Sequence, residues 1–428
     1  MSKRSPTKQD AKSLNRKASI ICLLAGLTML SVFPLDILLP SYPSMAAAFS
    51  KESSDIASSI SVFIAFFAVA QLIVGPLSDM WGRRTVLLAG LTLTLFAVIG
   101  CALAKDYGTF LIYRSLQAVG CGVFVLSQAL IQDFFSEAKR HVIRIYLVSF
   151  SGALISLSPL LGSLLQEVYD WPGSFYLSAI IAGCLIFLLL SYPPPIKASC
   201  NPELLDAFGS YTTILRDGHF LSYWIMSGLA FSCHFTFIIV SPLIFVENFG
   251  IDNYTFSFIL LAYGLAYISG GVIAKRLSLR VTMRSQITFG FSLILVSGLA
   301  MSLSVSLGAV SIATVLVPMI ICTAGTTLVR PAAVSQGMKF FSNNAGAAGA
   351  AGATVVFAIG AVTSASVSYW DAHLYAALAC LFIGLSTIGL ILNWLLPAKR
   401  LRMCRVVKPS DWCRICCTGE LGMRALTR

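Results

Sequence analysis

The sequence predicts an all-α membrane protein in which twelve transmembrane helices form two six-helix bundles. Of its 428 residues, 57% are hydrophobic and 11% are charged, with a mean hydropathy of +0.84. Soluble domains carry about 25% charged residues, so this composition indicates a protein embedded in a lipid bilayer. The sequence lacks the short alternating segments of a transmembrane β-barrel, which leaves helices as the spanning elements.

Twelve apolar runs reach the roughly 20 residues that a helix needs to cross a bilayer. They lie at about 18–40, 54–77, 85–104, 109–131, 142–166, 174–193, 220–245, 254–274, 286–306, 309–329, 345–367 and 373–396. The first run is too long for the core of a signal peptide and lacks a clear cleavage site. We therefore expect it to remain as the first helix.

The basic residues predict how these spans are oriented. If successive loops alternate between two sides, only Lys51 and Lys105 among the 30 Lys and Arg residues fall in outer loops, and Arg114 falls inside a span. Cytoplasmic loops carry an excess of Lys and Arg, so both termini are predicted to be cytoplasmic. The same bias accounts for the net charge of +12, and no nucleic-acid partner is expected.

The longest inner loop divides the chain into two halves of six spans, which indicates an internal repeat. The predicted parts are a basic N-terminal tail at 1–17, a bundle at 18–193, a linker at 194–219, a bundle at 220–396 and a basic C-terminal tail at 397–428. The C-terminal tail contains four cysteines whose spacing is similar to that of metal ligands, but the sequence favours a disordered basic tail over a zinc site. They are Cys404, Cys413, Cys416 and Cys417.

The stretch GPLSDMWGRR, residues 75–84, is predicted to form the cytoplasmic loop between the second and third helices. Its glycines permit close helix approach and a tight reversal. Its aspartate can face a helix N-terminus, and its arginines can pair with an acid across the inner surface. A plain polar turn whose arginines only set the topology is the alternative. The residues concerned are Gly75, Asp79, Gly82, Arg83 and Arg84, with Asp133 as the best candidate acid.

The same stretch resembles the signature loop of the major facilitator superfamily, and three further segments resemble family motifs. YRSLQAVGCG (113–122) is similar to the helix-four motif of proton-driven efflux pumps, and LDILLPSYPSM (35–45) to the end of helix one in the bicyclomycin/chloramphenicol-resistance branch. GALISLSPLLGS (152–163) resembles the antiporter motif of helix five through Gly152, Pro159 and Gly162, with Ser158 and Ser163 in place of Gly.

The chain also departs from the family pattern. Gln132 precedes Asp133 where this branch usually has Arg, and DWPGSF (170–175) lacks the usual Arg after Trp. In the second half, Lys275 and Arg330 stand where the first half has Asp79 and Asp133. The sequence therefore predicts that any charge network of an inner gate belongs to the first half.

Two ionisable side chains lie deep within spans of the first half, Asp36 in helix one and Arg114 in helix four. A buried charge costs roughly 2.5–3.5 kcal/mol on insertion scales, so each calls for a partner or a role. Both lie roughly 6–8 Å below the predicted outer boundary, which makes an ion pair, direct or through water, possible. The resemblance implies proton coupling by this pair, in which protonation of Asp36 frees Arg114. The alternative is an interfacial Asp36 and an Arg114 that only ties helices together.

Two further polar side chains are candidates for a central cavity. His234 lies mid-span in helix seven, and histidine titrates near neutral pH. Either a proton or substrate role or a satisfied polar group within the bundle fits it. Gln117 lies one helical turn from Arg114, on the same helix face.

The resemblance implies a secondary active transporter that exports small molecules, such as chloramphenicol or lipophilic drugs, in exchange for protons by alternating access. The alternative is an exporter of an endogenous metabolite such as a siderophore, which strong basic or polar cavity residues beyond Arg114 would favour. A receptor would need a larger output domain, and a channel would need a filter.

No enzymatic activity is expected, because the sequence has no phosphate-binding loop, HExxH or GxSxG motif. A proton gradient is the expected energy source, without a cofactor or a metal. The expected partners are a small-molecule substrate and the lipid bilayer. The expected form is a monomer in the bacterial inner membrane that confers antibiotic resistance.

Overall fold

A computed structural model describes residues 8–135, 137–191, 211–278, 280–368 and 373–396, and these residues are mostly helical, with no β-strand among them. Residues up to Asn393 belong to one compact unit. The predicted C-terminal tail with its cysteines, and most of the predicted linker, lie outside the described residues.

Eight helices make up the first half of the chain. They are α1 (Lys8–Asp36), α2 (Tyr42–Phe49), α3 (Ser53–Trp81), α4 (Arg83–Leu103), α5 (Tyr107–Cys121), α6 (Leu126–Phe134), α7 (Glu137–Tyr169) and α8 (Gly173–Ser191). A short helical turn at Leu39–Ser41 joins α1 to α2, and another at Gly122–Val125 joins α5 to α6. The fourth predicted span is therefore built from two helices, and the first, 18–40, ends in the turn that leads into α2.

The described part of the second half contains six α-helices, with shorter helical turns at Leu243–Asn248 and Lys339–Asn344. The six α-helices are α9 (Gly218–Pro242), α10 (Asn253–Ser278), α11 (Met283–Ser306), α12 (Ile312–Met338), α13 (Ala345–Ser368) and α14 (Leu374–Leu395). Eleven helical segments of the described chain are long and apolar enough to cross a membrane. The remaining predicted span, 142–166, lies within α7, a helix of 33 residues.

Side-chain caps explain where several of these helices begin. The carboxylate of Asp106 accepts hydrogen bonds from the backbone N–H and the hydroxyl of Thr109 at the start of α5, at 2.9 and 2.6 Å. These bonds lower the pKa of Asp106, because they favour the ionised form. Asp217 caps α9 in the same way, through the N–H of Phe220 at 2.7 Å. Each cap satisfies a backbone donor that the helix itself leaves unpaired.

The prediction that residues 75–84 form a loop is wrong for most of the stretch. Helix α3 continues through Gly75 and Pro76 to Trp81, and α4 begins at Arg83. Gly82 alone makes the reversal, with a φ of 83° that glycine adopts readily. Gly75 serves the predicted close approach, since a Cβ there would lie 3.0 Å from the hydroxyl of Tyr211, in the helical residues 211–216.

The two halves meet through two pairs of helices, α3 with α13 and α7 with α10. The hydroxyls of Ser61 and Ser364 lie 2.8 Å apart across the first pair, and Thr354 donates to the carbonyl of Ala68 at 3.1 Å. Small and hydroxylated residues at such contacts let helices approach closely in a membrane.

Across the second pair, hydrogen bonds cluster near the predicted outer face, in a contact that we call the outer latch, formed by Ser163, Gln166, Asn253 and Ser257. Ser163 and Ser257 lie 2.7 Å apart through their hydroxyls, and Ser163 also donates to the carbonyl of Asn253 at 3.2 Å. The side chain of Asn253 donates to that of Gln166 at 3.3 Å. Because the outer latch joins α7 to the first turn of α10, this conformation is closed at the predicted outer face.

Candidate functional site

Asp36 lies where the halves meet. It is the last residue of α1, and the turn Leu39–Ser41 and α2 continue over it, so only 7% of its surface is exposed. It faces a small cavity of about 10 Å³, room for about one water molecule, lined by Asp36, Leu39, Ile155, Pro159, Ile238, Leu260 and Tyr263. Small-molecule pockets measure about 300–1,000 Å³, so this conformation is too closed for a drug-sized ligand. Asp36 is therefore buried within the protein.

Arg114, on α5, is fully buried and is held by neutral groups. Its Nη1 donates to Oε1 of Gln117 at 2.7 Å, and its Nη2 donates to the carbonyl of Pro34. The guanidinium carbon lies 4.6 Å from the ring centre of Phe63 on α3, a cation–π distance. The predicted proximity of Arg114 and Gln117 is confirmed. Together these contacts fasten α5 to α1 and α3.

The ion pair between Asp36 and Arg114 that the sequence allows is not formed in this structure. Arg114 instead binds the carbonyl of Pro34, two residues before Asp36. The last carbonyls of a helix lack intrahelical partners and carry its partial negative charge. Because α1 ends at Asp36, the Pro34 carbonyl is such an acceptor, and it takes the arginine. Among the described residues, no hydrogen bond or ion pair holds the Asp36 carboxylate.

At the predicted cytoplasmic face, the expected pair of an arginine from the 75–84 motif with Asp133 is confirmed for Arg83. Its Nε lies 2.5 Å from Oδ2 of Asp133 at the end of α6, and the two side chains are 29% and 17% exposed. The Nε of Arg84 is buried without a hydrogen-bond partner. The side chain of Asp79 lies outside the described part of the structure. The pair joins α4 to α6 within the first half.

The three residues of the helix-five motif have different surroundings. Pro159 lines the cavity of Asp36, and its carbonyl accepts a hydrogen bond from Ser257 of the other half at 3.1 Å. A Cβ on Gly162 would overlap the carbonyl oxygen of Ile37, so only glycine lets α7 approach the end of α1 this closely. Gly152 has more room, with the nearest atom, on Ile268, at 3.8 Å.

In the second half, His234 belongs to a polar cluster that the sequence did not predict. Its Nδ1 shares a hydrogen bond with the hydroxyl of Tyr263, and its ring centre lies 5.1 Å from that of Tyr267. The Tyr267 hydroxyl accepts from Nη1 of Arg330 at 3.4 Å. We call these four residues, His234, Tyr263, Tyr267 and Arg330, the polar cluster. Tyr263 also lines the cavity of Asp36, so the polar cluster continues that cavity into the second half.

Sequence analysis did not identify Arg330 as a membrane-embedded residue, because a predicted span ended directly before it. The tenth run was predicted to end at 329, which placed Arg330 in a cytoplasmic loop, whereas α12 continues to Met338. Tyr263 and Tyr267 lie four residues apart on α10 and so share one helix face. That spacing, together with an arginine directly before Pro331 at the end of an apolar run, was the available signal.

The sequence profile of the family described as Major Facilitator Superfamily matches residues 24–365. The chain is 27% identical to the "Uncharacterized MFS-type transporter YdgK" of Bacillus subtilis (strain 168), over 61% of this chain and 66% of that protein, just under two thirds of its length. It is 24% identical to "Multidrug resistance protein MdtL" of Klebsiella pneumoniae (strain 342), over 88% of this chain and 92% of that protein. It is 28% identical to "Multidrug transporter MdfA" of Shigella boydii serotype 4, over 65% and 68%.

Solved structures share the fold at low sequence identity. A POT family transporter in complex with 5-aminolevulinic acid has a TM-score of 0.71 at 14% identity, over 89% of this chain and 95% of that chain. A D-xylose-proton symporter has a TM-score of 0.66 at 16% identity, over 87% and 96%. At such identities the likeness concerns the fold alone.

Proposed function

Because the chain belongs to the Major Facilitator Superfamily, and is thus a multi-pass membrane transporter and no enzyme, we propose that it exports small lipophilic molecules in exchange for protons by alternating access. The names of MdtL and MdfA support drugs as the cargo. Chloramphenicol, as an uncharged drug, is a suitable first test compound. The proposed setting is a monomer in the bacterial inner membrane with both termini cytoplasmic and the proton gradient as energy source.

The observation that carries this proposal is the position of Asp36 at the cavity between the halves, where no cation among the described residues pairs with it. An unpaired carboxylate at this depth carries roughly the 2.5–3.5 kcal/mol cost of a charge in a membrane, which protonation removes. A substrate that enters the cavity and a proton on Asp36 therefore favour different states of the same site. Proton and substrate are exchanged if the two halves can change conformation with either one bound and if each leaves the site before the other binds.

Arg114 has a positioning role in this scheme. Its bond to the Pro34 carbonyl fixes the end of α1 beside α5, and its charge persists in both states of Asp36. When Asp36 is ionised, a small movement of α1 brings the carboxylate and the guanidinium together. When Asp36 is neutral, the arginine returns to the Pro34 carbonyl and to Gln117, the arrangement seen here.

The pair of Arg83 and Asp133 is proposed to act at the inner gate. It lies at the predicted cytoplasmic ends of α4 and α6, and the motif around it turns at Gly82. A charge pair that holds these ends in one arrangement stabilises the conformation in which it forms, and its release accompanies the rocking of the halves.

Export of an anionic metabolite such as a siderophore is the second candidate function. One specific observation favours it, namely that Arg330 adds a second cation, beyond Arg114, to the polar groups around the central cavity. A preference for anionic cargo over neutral or cationic drugs would distinguish this function from general drug export.

The decisive experiment is to measure proton release when substrate is added to purified protein in detergent with a pH-sensitive dye. Wild type and Asp36→Asn are each challenged with chloramphenicol, a lipophilic cation and a siderophore. We expect release from wild type with at least one compound and none from Asp36→Asn. Glu247→Gln is the matched control, because Glu247 is an exposed acid near the predicted outer face and this change should leave release intact.

Equal release from wild type and Asp36→Asn would move proton coupling away from Asp36, with His234 as the next residue to test. No release with any of the three compounds would contradict drug export and leave only the fold and the transporter family standing. Release with the siderophore alone would select the second candidate function.

A further inference from the structure

Arg330 is a cation within α12 whose hydrogen-bonding capacity is mostly unused. An arginine has five N–H donors in a fixed fork. In the described residues, the one hydrogen bond of Arg330 is the long contact from Nη1 to Tyr267 at 3.4 Å, and its Nε is buried without a partner. No described carboxylate forms an ion pair with it. An unpaired buried donor is unfavourable, and the Arg330 side chain as a whole is only partly buried, so its remaining N–H groups can bind an acceptor that the chain does not supply.

The surroundings of Arg330 are aromatic. Its guanidinium carbon lies 4.8 Å from the ring centre of Phe231 on α9. Phe231 stacks on Phe235 at 4.9 Å and meets Phe357 of α13 edge-on at 5.5 Å. Phe357 in turn contacts Phe67 of the first half at 5.3 Å. Arg330 therefore lies at the edge of an aromatic wall that extends from the second half to the first.

The polar cluster connects this wall to the proton site. Arg330 bonds Tyr267, the ring of Tyr267 contacts His234, and His234 bonds Tyr263, which lines the cavity of Asp36. Asp36 is the acid of that cavity. When it is protonated, it offers no negative charge to offset the charge of Arg114, and among the described residues no carboxylate pairs with Arg330. An anion bound at Arg330 compensates one of these two charges in a region of low dielectric.

We propose that Arg330 and the Tyr267 hydroxyl form the anion-binding end of the substrate site, and that the cargo is an aromatic or otherwise apolar compound with a carboxylate or a similar anionic group. The free edge of the guanidinium, with its N–H donors in one plane, binds two oxygens of the anion side by side. The wall of Phe231, Phe357 and Phe67 packs against the apolar part. This inference rests on the proposed proton-driven export and names the class of its cargo, which agrees with the second candidate function, the export of an anionic compound.

The test uses three probes that share one ring system and differ in charge: 2-naphthoate, the neutral 2-naphthamide and the cationic 2-naphthylmethylammonium. Their dissociation constants are measured by calorimetry on the full-length purified protein. We expect wild type to bind 2-naphthoate at least about tenfold more tightly than 2-naphthamide, in the range of a charge-assisted hydrogen-bonded pair. The cation should bind most weakly.

Arg330→Gln should abolish the preference for 2-naphthoate while leaving the affinity for 2-naphthamide at the wild-type value, which also shows that the site is folded. Arg330→Lys should retain part of the preference, because it keeps the charge but loses the fork. Tyr267→Phe should reduce the preference severalfold. Arg276→Gln removes an exposed arginine on α10 and is the matched control, which should keep the full preference.

Equal binding of the acid and the amide to wild type would overturn the inference, as would failure to bind 2-naphthoate at millimolar concentration. A preference that persists in Arg330→Gln would place the anion site elsewhere and also overturn it. These outcomes leave the proposed function intact if chloramphenicol or a lipophilic cation still releases protons from wild type but not from Asp36→Asn.

Discussion

Three arginines of this protein have different partners, and the partner determines what each arginine can do. Arg83 pairs with the carboxylate of Asp133, so its charge is compensated. Arg114 binds neutral acceptors, the carbonyl of Pro34 and the amide of Gln117. Arg330 has a tyrosine hydroxyl and an aromatic face. The first is suited to holding helices in place, whereas the other two keep a net positive charge that protons and cargo can respond to.

The pair of Arg83 and Asp133 gives a prediction at this scale. Asp133→Asn should lower the Tm in detergent by about 2 °C, because a partly exposed ion pair contributes about 0.5–1 kcal/mol. It should lower the transport rate more clearly, if the pair acts at the gate. The exchanged pair, Arg83→Asp with Asp133→Arg, should recover part of both losses. Equally low transport by the single and the exchanged variants would show that transport depends on which residue stands at each position and not on the ion pair itself.

At the scale of the elements, proline and glycine determine how α7 fits against its neighbours. The carbonyl of Pro159 accepts a hydrogen bond from Ser257, and Ser163, which stands where the family has glycine, adds hydroxyl bonds to α10. Gly162 allows contact with the carbonyl of Ile37 at the end of α1. One turn of α7 thus touches both the helix of Asp36 and the opposite half, so movement of α7 changes the surroundings of Asp36.

Two glycines of the same motif should respond differently to alanine. Gly162→Ala places a methyl group against backbone, which cannot move aside as a side chain can, so overpacking should cost about 1–3 kcal/mol and lower the Tm by several degrees. Gly152→Ala meets its nearest atom at 3.8 Å and should leave the Tm within about 1 °C of wild type or slightly above it. Thermal unfolding followed by tryptophan fluorescence measures both. Equal effects would contradict the close contact with Ile37.

For the whole molecule, the outer latch shows that this conformation represents a stage of the transport cycle in which the predicted outer face is closed. Ser163, Gln166, Asn253 and Ser257 join the halves near the predicted outer face, while the cavity of Asp36 is too small for cargo. Export by alternating access requires this contact to open. Hydroxyl and amide bonds suit that purpose, because each contributes only about 0.5–1.5 kcal/mol net and water replaces it on opening.

A disulfide across the outer latch should therefore stop transport. The hydroxyls of Ser163 and Ser257 lie 2.7 Å apart, which is compatible with disulfide geometry in Ser163→Cys with Ser257→Cys. Oxidation of the double variant should lower transport in proteoliposomes at least about tenfold, and a reductant should restore it. Each single variant, oxidised in the same way, controls for the native cysteines. Transport at the wild-type rate by the cross-linked protein would mean that the halves do not separate at the outer latch during transport.

The predicted spans agree with the helices to within a few residues in most cases, because about 20 apolar residues can cross a bilayer only as a helix. The local sequence pattern also predicted the pairing of Arg83 with Asp133 and the proximity of Arg114 to Gln117, which lies one helical turn away. The errors fall where helices continue through polar residues. Residues 75–81 and Arg330 were placed in loops because hydropathy falls there, although the backbone remains helical.

The sequence by itself determined the class of protein, the approximate limits of most of its spans, and the motifs of its family. The tertiary structure alone decided which groups satisfy the buried charges. Hydropathy and spacing act along one helix, whereas the partner of Arg114 is a carbonyl freed by the end of α1, and that of Arg330 is a tyrosine on another helix. Such contacts form only when helices that are distant in sequence pack together. A small difference in that packing decides whether Arg114 binds the carboxylate of Asp36 or the carbonyl of Pro34.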